Sequence, residues 1–259
     1  MVLVLFILGK SLIMPEGPSI VVLKDAVQSF AGQKILGAAG SSKKVDFDRL
    51  TSARIIDFKS WGKHFLICFK NFTIRIHFLL FGSYRINEER ESIVPRLSLK
   101  FSKGRSLNFY ACSISVLDQP LNEVYDWTND VMSDKWDEIN ALRKLKTNPN
   151  AFACDVLLDQ QIFSGVGNII KNEVLFRIGV HPQSKVGKLP LAKRKLMARE
   201  AVHYSFQFLE WKREFTLKKH WLVHTKKTCP RDHQPLVKEY MGITHRRTFY
   251  CKTCQKLYH

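Results

Sequence analysis

Acidic residues are scarce. The 259-residue chain holds 23 Asp plus Glu against 41 Lys plus Arg, a formal charge of +18. Cysteine is scarce too. Six in this length are far too few for a disulfide-stapled secreted scaffold, and thiols at such density serve metal sites or core packing. Only 13 Gly and 9 Pro accompany 45 % hydrophobic residues, which excludes a collagen-like or disordered chain and fits one large or two modest folded units. The longest apolar run, Val2 to Leu8, is short of the roughly 20 residues a bilayer span needs. These absences predict a cytoplasmic chain with no membrane partner.

What is present is unevenly placed. Residues 185–259 carry 18 Lys plus Arg and 5 Asp plus Glu, a surplus of 13, whereas residues 1–184 carry 23 and 18, a surplus of 5. A basic block concentrates polyanions and releases counterions on meeting phosphates, so nucleic acid is the first partner to consider; an anionic membrane or plain solubility is the rival account.

The pattern along the chain is α+β. Pro18 to Phe30 places Ile20, Val21, Leu23, Val27 and Phe30 at mostly helical spacing, with Pro18 suited to a first turn. Short β-branched and aromatic runs follow at Arg54–Phe58, His64–Phe69, Thr73–Phe78, Arg96–Phe101 and Leu107–Leu117, the last two punctuated by Lys103-Gly104 as in a hairpin. An antiparallel sheet region is expected. The acidic, turn-rich stretch from Asp118 to Asn150 marks a domain joint. Beyond it, Ala151–Gln161, Val166–Ile178 and Leu189–Trp211 have helical spacing, and a small terminal appendage closes the chain.

That appendage has the spacing of a metal site. Three residues separate Cys229 from His233, two separate Cys251 from Cys254, and 17 lie between the pairs. Tetrahedral zinc accepts thiolate and imidazole together, and a closed set of four ligands makes the metal structural. So basic a segment cannot build a core and needs such a staple. His224, His245 and His259 are alternatives to His233. A redox role for Cys251 and Cys254 lacks the surrounding parallel-sheet pattern, and Cys68, Cys112 and Cys154 sit in apolar patterns as core residues.

Two further segments have a functional and a plain reading. Ser164-Gly165-Val166-Gly167-Asn168 lies between helical segments, where backbone N–H groups and an Asn side chain can meet a phosphate, or where a glycine connection simply ends in an Asn cap. Between the zinc pairs, His245, Arg246 and Arg247 adjoin Thr248, Phe249 and Tyr250, which suits a β-ribbon entering a nucleic-acid groove or an Arg-bearing solvated edge.

Met14-Pro15-Glu16-Gly17-Pro18, Trp61-Gly62-Lys63, His77-Phe78-Leu79-Leu80-Phe81-Gly82, Gly165-Val166-Gly167-Asn168 and the terminal hairpin together resemble the formamidopyrimidine-DNA glycosylase and endonuclease VIII family, from Met14 to about Gln255. The resemblance implies an N-terminal β-sandwich with a leading helix (14–125), a linker (126–150), a helix-two-turn-helix domain (151–220) and a zinc finger (221–259). It also implies a monomeric, bacterial-type intracellular repair enzyme, nucleoid-associated when bound, that acts on damaged double-stranded DNA.

The roles it implies match the residue types. Pro15, once Met14 is removed, supplies a terminal secondary amine; such amines have a pKa near 8, so about a tenth is neutral at pH 7. That amine attacks C1′ of the damaged nucleoside, and the resulting iminium permits β- and δ-elimination. Glu16 is the general acid/base. Lys63 contacts a phosphate near the lesion and donates a proton, Asn168 holds the same phosphate, and Arg246 reaches the flanking one, with Arg247 as the substitute. Leu79, Leu80 and Phe81, which in isolation read as sheet core, become the wedge that fills the gap left by an extruded nucleotide.

Three departures qualify the likeness. Residues Met1–Ile13 precede Met14 and lack a secretory pattern, so a misassigned start is expected. Ser19 stands where family members commonly carry a second glutamate, and His233 replaces the usual second cysteine. The segment Thr216–His220 is short, which favours the endonuclease VIII branch and oxidised pyrimidines. The alternatives are a purine-directed enzyme of the same family, or a non-catalytic zinc-containing nucleic-acid-binding protein.

Overall fold

The computed structural model describes residues 15–259; Met14 and the extension Met1–Ile13 lie outside the described residues. The chain enters directly into helix α1 (Gly17–Val27), started by Pro18 in its first turn. Its apolar stripe, Ile20, Leu23 and Val27, is buried in the first core.

Strand β1 (Gly37–Ala39) and a one-turn helix α2 (Phe47–Leu50) precede the sheet region. The strands are β2 (Asp57–Trp61), β3 (His64–Cys68), β4 (Thr73–His77), β5 (Ser83–Ile86), β6 (Leu97–Lys100), β7 (Ser106–Tyr110) and β8 (Ser113–Leu117). They form two antiparallel sheets of four, ordered β1-β6-β7-β5 and β2-β3-β4-β8. Phe58, Phe65, Ile67, Ile74 and Ile76 of one sheet face Leu97, Leu99, Leu107 and Phe109 of the other across one apolar core. The expected α+β class with a leading helix and β-sandwich is what the chain adopts.

The expected runs shift in detail. Leu107–Leu117 is two strands in different sheets, because the chain crosses between layers at Ala111, whose φ of +48° breaks the extension. Lys103 and Gly104, at φ +57° and +68°, make the β6–β7 turn. Strand β5 was not anticipated. Its Ser-Tyr-Arg-Ile sequence lies half-buried at a sheet edge, without a clean apolar alternation.

After a short helix α3 (Leu121–Val124), the segment 126–150 is not a linker as expected. It contains helix α4 (Glu138–Thr147), capped by Asp137, whose Oδ1 accepts from the Ile139 N–H at 2.8 Å. Ala141 and Leu145 then join the core of the helical domain. The expected helix 151–161 shrinks to one turn, α5 (Ala153–Val156), and Asp159 caps a turn at Gln161. Two long elements complete this domain, α6 (Asn168–Arg177) and α7 (Leu191–Arg213). A two-stranded hairpin, β9 (Val237–Met241) with β10 (Arg246–Tyr250), forms the appendage. Among the described residues no helix is long and apolar enough to cross a membrane.

Helix α6 is the mount for the hairpin region. Lys171, Asn172 and Glu173 are fully buried despite their polarity. The Glu173 carboxylate accepts from the N–H groups of Leu222, Val223 and His224 at 2.8–3.0 Å, so the chain entering the appendage is held to the helix.

Candidate active site

Pro15 and Glu16 stand at the start of α1, where the two domains meet. Glu16 does not cap its own helix. Its carboxylate crosses to the N-terminus of α6 and accepts from the N–H groups of Gly167 (3.1 Å), Ile169 (2.7 Å) and Ile170 (3.2 Å). These are unpaired first-turn donors of α6, with a partial positive charge that suits a carboxylate. Glycine at 167 makes room for this contact, because a Cβ there would lie 2.4 Å from Glu16 Cδ and would force the carboxylate to shift. Glu16 is 1 % exposed. Burial pushes its pKa up, against the Lys63 charge and the three N–H groups, which pull it down.

Lys63 sits in the tight turn between β2 and β3. Gly62 turns there at φ +52°, and a Cβ would meet Ser164 Oγ at 2.0 Å. The turn is gripped from the interdomain segment: Trp61 Nε1 donates to the Asp126 carbonyl at 3.0 Å, and the Gly62 N–H donates to Asp130 Oδ2 at 2.9 Å. Asp130 also accepts from the Met132 N–H, and its backbone neighbours pair with Ser164 beside the Gly-Val-Gly-Asn turn. Burial raises its carboxyl to about 6. Burial lowers the Lys63 ammonium, with Arg246 acting the same way and Glu16 opposing.

The third component is the hairpin. Arg246, at the start of β10, lines the cleft, whereas Arg247 stands 6.0 Å over the Tyr240 ring, consistent with alternation along a strand. Arg246 rather than Arg247 is therefore the cleft residue. The Asn168 amide donates to the Arg247 carbonyl at 2.8 Å, and its Oδ1 is buried without a partner. Asn168 is thus on the cleft wall, with its N–H already engaged by the hairpin.

Pro15, Glu16, Lys63, Asn168 and Arg246 line one cleft of about 570 Å³, together with Leu79 and Leu80. The loop Leu79-Leu80-Phe81 is not sheet core. These residues are 52 %, 45 % and 68 % exposed, with Leu79 at φ +54°. Further wall residues were given no role from the sequence: Trp61, His64 and His77, with Gln160 and Gln161 also lining the cleft. Burial holds His64 at about 4, hence neutral, and its Nδ1 lies 3.1 Å from Tyr125 Oη. His77 and Trp61 were visible as motif members, but His64 sits in a strand pattern with no separate signal.

Near the C-terminus the thiols of Cys229, Cys251 and Cys254 come together with Asp232, all four ligand atoms lying within 4.8 Å of one another. The expected His233 is not among them, nor are His224, His245 and His259. The reason is local: the chain turns through His233 at φ +59°, carrying its ring to solvent, while Asp232 Oδ2 approaches Cys251 Sγ at 3.1 Å and Cys254 Sγ at 3.4 Å. Cys229 Sγ and Cys254 Sγ are 3.8 Å apart, close to the edge of a tetrahedron with metal–sulfur bonds of about 2.3 Å. Three thiols and one carboxylate at this spacing fit a structural metal.

The formamidopyrimidine-DNA glycosylase N-terminal domain profile matches residues 14–112, and the H2TH domain profile of the same enzymes matches 130–208. Endonuclease 8-like 2 of Bos taurus is 36 % identical over 197 residues, 70 % of this chain and 58 % of that protein. The chain belongs to the formamidopyrimidine-DNA glycosylase and endonuclease VIII family, on its endonuclease VIII-like branch. A second relative, endonuclease 8-like 3 of Mus musculus, is 32 % identical over 204 residues, 75 % of this chain and 33 % of that protein. The chain therefore spans a little over half the length of the first relative and a third of the second. Among solved structures, Lactococcus lactis formamidopyrimidine-DNA glycosylase bound non-covalently to DNA with an AP site superposes with a TM-score of 0.81 at 20 % identity, covering 93 % of this chain and 99 % of that one. A viral DNA glycosylase superposes with a TM-score of 0.79 at 18 % identity, over 93 % and 100 %. At these identities the structures attest the fold of the family: β-sandwich, helix-two-turn-helix and C-terminal hairpin.

Proposed function

We propose that the protein is a bifunctional DNA glycosylase and AP lyase that removes oxidised bases, pyrimidines above all, and then nicks the strand. The observation that carries this reading is the convergence of Pro15, Glu16, Lys63, Asn168 and Arg246, drawn from both domains and the hairpin, on one cleft. Damaged double-stranded DNA is the partner, gripped by the basic C-terminal third.

The imino nitrogen of Pro15, exposed once Met14 is removed, attacks C1′ as its neutral amine. The C1′–base bond breaks, and the sugar ring opens to leave an iminium between Pro15 and C1′. Loss of a C2′ proton expels the 3′ phosphate, and a second elimination expels the 5′ phosphate. Glu16 takes and returns protons during ring opening, a task suited to a carboxyl raised by burial. Lys63, with its lowered ammonium, supplies a proton and a charge near the lesion phosphate. Arg246 and Asn168 hold the phosphates from the opposite wall. Leu79, Leu80 and Phe81 occupy the space vacated by the extruded nucleotide. Cys229, Cys251, Cys254 and Asp232 are the residues that would hold a zinc ion, which would staple the hairpin that carries Arg246.

Borohydride reduction of the iminium tests the reading. Protein translated from Met14 should be trapped covalently on DNA bearing an abasic site or 5-hydroxyuracil, and Pro15→Gly should weaken or abolish trapping. Strand nicking by a preparation whose intact mass retains Met1–Ile13 would overturn the Pro15 mechanism. A purine-directed enzyme would instead prefer 8-oxoguanine opposite C in direct competition. A non-catalytic binder would shift DNA without any adduct.

A further inference from the structure

Lys171 stands out because nothing in the proposed chemistry uses it. It lies in the first turn of α6, where the helix dipole disfavours a cation, and it is fully buried. Among the described residues, Cys154 and Asp155 of α5, Glu16 of the opposite domain, Arg246 of the hairpin and His224 are ionisable groups in its field. Its Nζ donates to Thr248 Oγ1 at 2.7 Å, and the Thr248 hydroxyl in turn donates to the Arg246 carbonyl at 3.0 Å. Asn168, one turn earlier on α6, holds the Arg247 carbonyl. Two side chains of one helix thus tie down consecutive carbonyls at the start of β10, the point from which Arg246 enters the cleft.

We propose that Lys171 is a positioning residue for Arg246, acting through the Thr248 hydroxyl to set the angle at which the hairpin presents its guanidinium to a DNA phosphate. The inference rests on the DNA-binding part of the proposed function, though not on its covalent chemistry. Without the Lys171 donor, the Thr248 hydroxyl is free to rotate and the Arg246 carbonyl loses its oriented partner. Lys171 is fully buried, so the proposal requires its removal to weaken DNA binding through Arg246.

The test is a double-mutant cycle on the full chain, reading affinity for duplex DNA that carries an uncleavable tetrahydrofuran abasic analogue, with bound zinc and melting temperature recorded for each variant. Lys171→Met and Arg246→Ala should each weaken binding roughly 3- to 10-fold, and the two together should add less than about 2-fold to Arg246→Ala alone. Thr248→Val, nearly isosteric, should reproduce Lys171→Met, while Thr248→Ser keeps the hydroxyl and should retain the grip. Additive losses in the cycle, or a neutral Thr248→Val, would overturn the proposal. Should Lys171→Met fail to fold, the Thr248 pair combined with Arg246→Ala decides alone. A wild-type chain that binds the analogue and passes this cycle but forms no borohydride adduct would leave Lys171 in its role and remove the lyase chemistry, so the two readings fail separately. A wild-type chain that does not bind the analogue overturns both.

Discussion

Glu16 and Ile169 lie 153 positions apart in the chain and are joined by a 2.7 Å hydrogen bond, from the Ile169 N–H to Glu16 Oε1. That contact, with its companions at Gly167 and Ile170, makes the proposed general acid/base also the latch between the sandwich and the helical domain. In the proposed mechanism, proton transfer and domain alignment therefore meet at one carboxylate.

Glu16→Gln keeps the shape and presents an NH2 group to N–H donors. Base excision in single turnover should fall by about 10²- to 10⁴-fold. Stability should drop by about 1–3 kcal/mol, because at least one first-turn N–H loses its acceptor. Wild-type excision by this variant would remove Glu16 from the proton path.

Gly167→Ala drives a methyl into the Glu16 side chain, 2.4 Å from Cδ. Relief requires moving the carboxylate or separating the domains. A loss of about 1–3 kcal/mol in urea unfolding is expected, together with reduced excision. An unchanged urea midpoint would mean that the interface is looser than described.

Asp130 gives the fold a pH signature. Burial raises its carboxyl from the ordinary 3.8 to about 6 in the folded state. The native state therefore binds a proton more tightly than the unfolded chain, and stability declines as pH rises from about 4 to 6, then levels off. The span corresponds to roughly 2–3 kcal/mol for this buried group. Asp130→Asn should flatten that part of the curve relative to wild type, measured as unfolding midpoint against pH. Parallel curves for the two proteins would contradict the assignment.

The fourth corner of the metal site can be read from bound zinc after dialysis. Cys251→Ser should release the metal and unfold the hairpin. The geometry expects Asp232→Ala to lose zinc and His233→Ala to retain it, since Asp232 faces the thiols and His233 is exposed. The reverse pattern would return the fourth corner to the histidine.

The apolar loop separates stability from function. Because Leu79, Leu80 and Phe81 are exposed, truncating each to Ala should change stability by no more than about 0.5 kcal/mol. Excision from duplex DNA should nevertheless slow markedly, and less so from a mismatched or single-stranded substrate, where extrusion costs less. Equal slowing on all substrates would argue against a wedge.

Much of this was legible in one dimension. The apolar stripe of α1, the strands β3, β4 and β6, the Lys103-Gly104 turn and the long helix α7 follow from local spacing and turn chemistry, which depend on near neighbours, whereas β2 starts at Asp57, three residues after the start of the expected run Arg54–Phe58. Helix α4 was overlooked although Asp137 caps it, because acidic turn residues before it suggested a joint. The fourth metal corner was placed one residue late, since spacing counts residues and cannot show that the backbone turns through His233 into the left-handed region.

By itself the amino-acid sequence determined the α+β class, the basic terminal third, the three clustered cysteines Cys229, Cys251 and Cys254, and the motif residues Pro15, Glu16, Lys63, Asn168 and Arg246. Only the tertiary structure decided that His64 lines the cleft, that Asp232 rather than His233 faces the thiols, and that Asp130 and Lys171 grip the turn and the hairpin. The physical reason is range. Periodicity and caps act within a few residues, whereas burial of a carboxylate against a helix N-terminus, or of a lysine beneath a hairpin, exists only after distant segments have packed together.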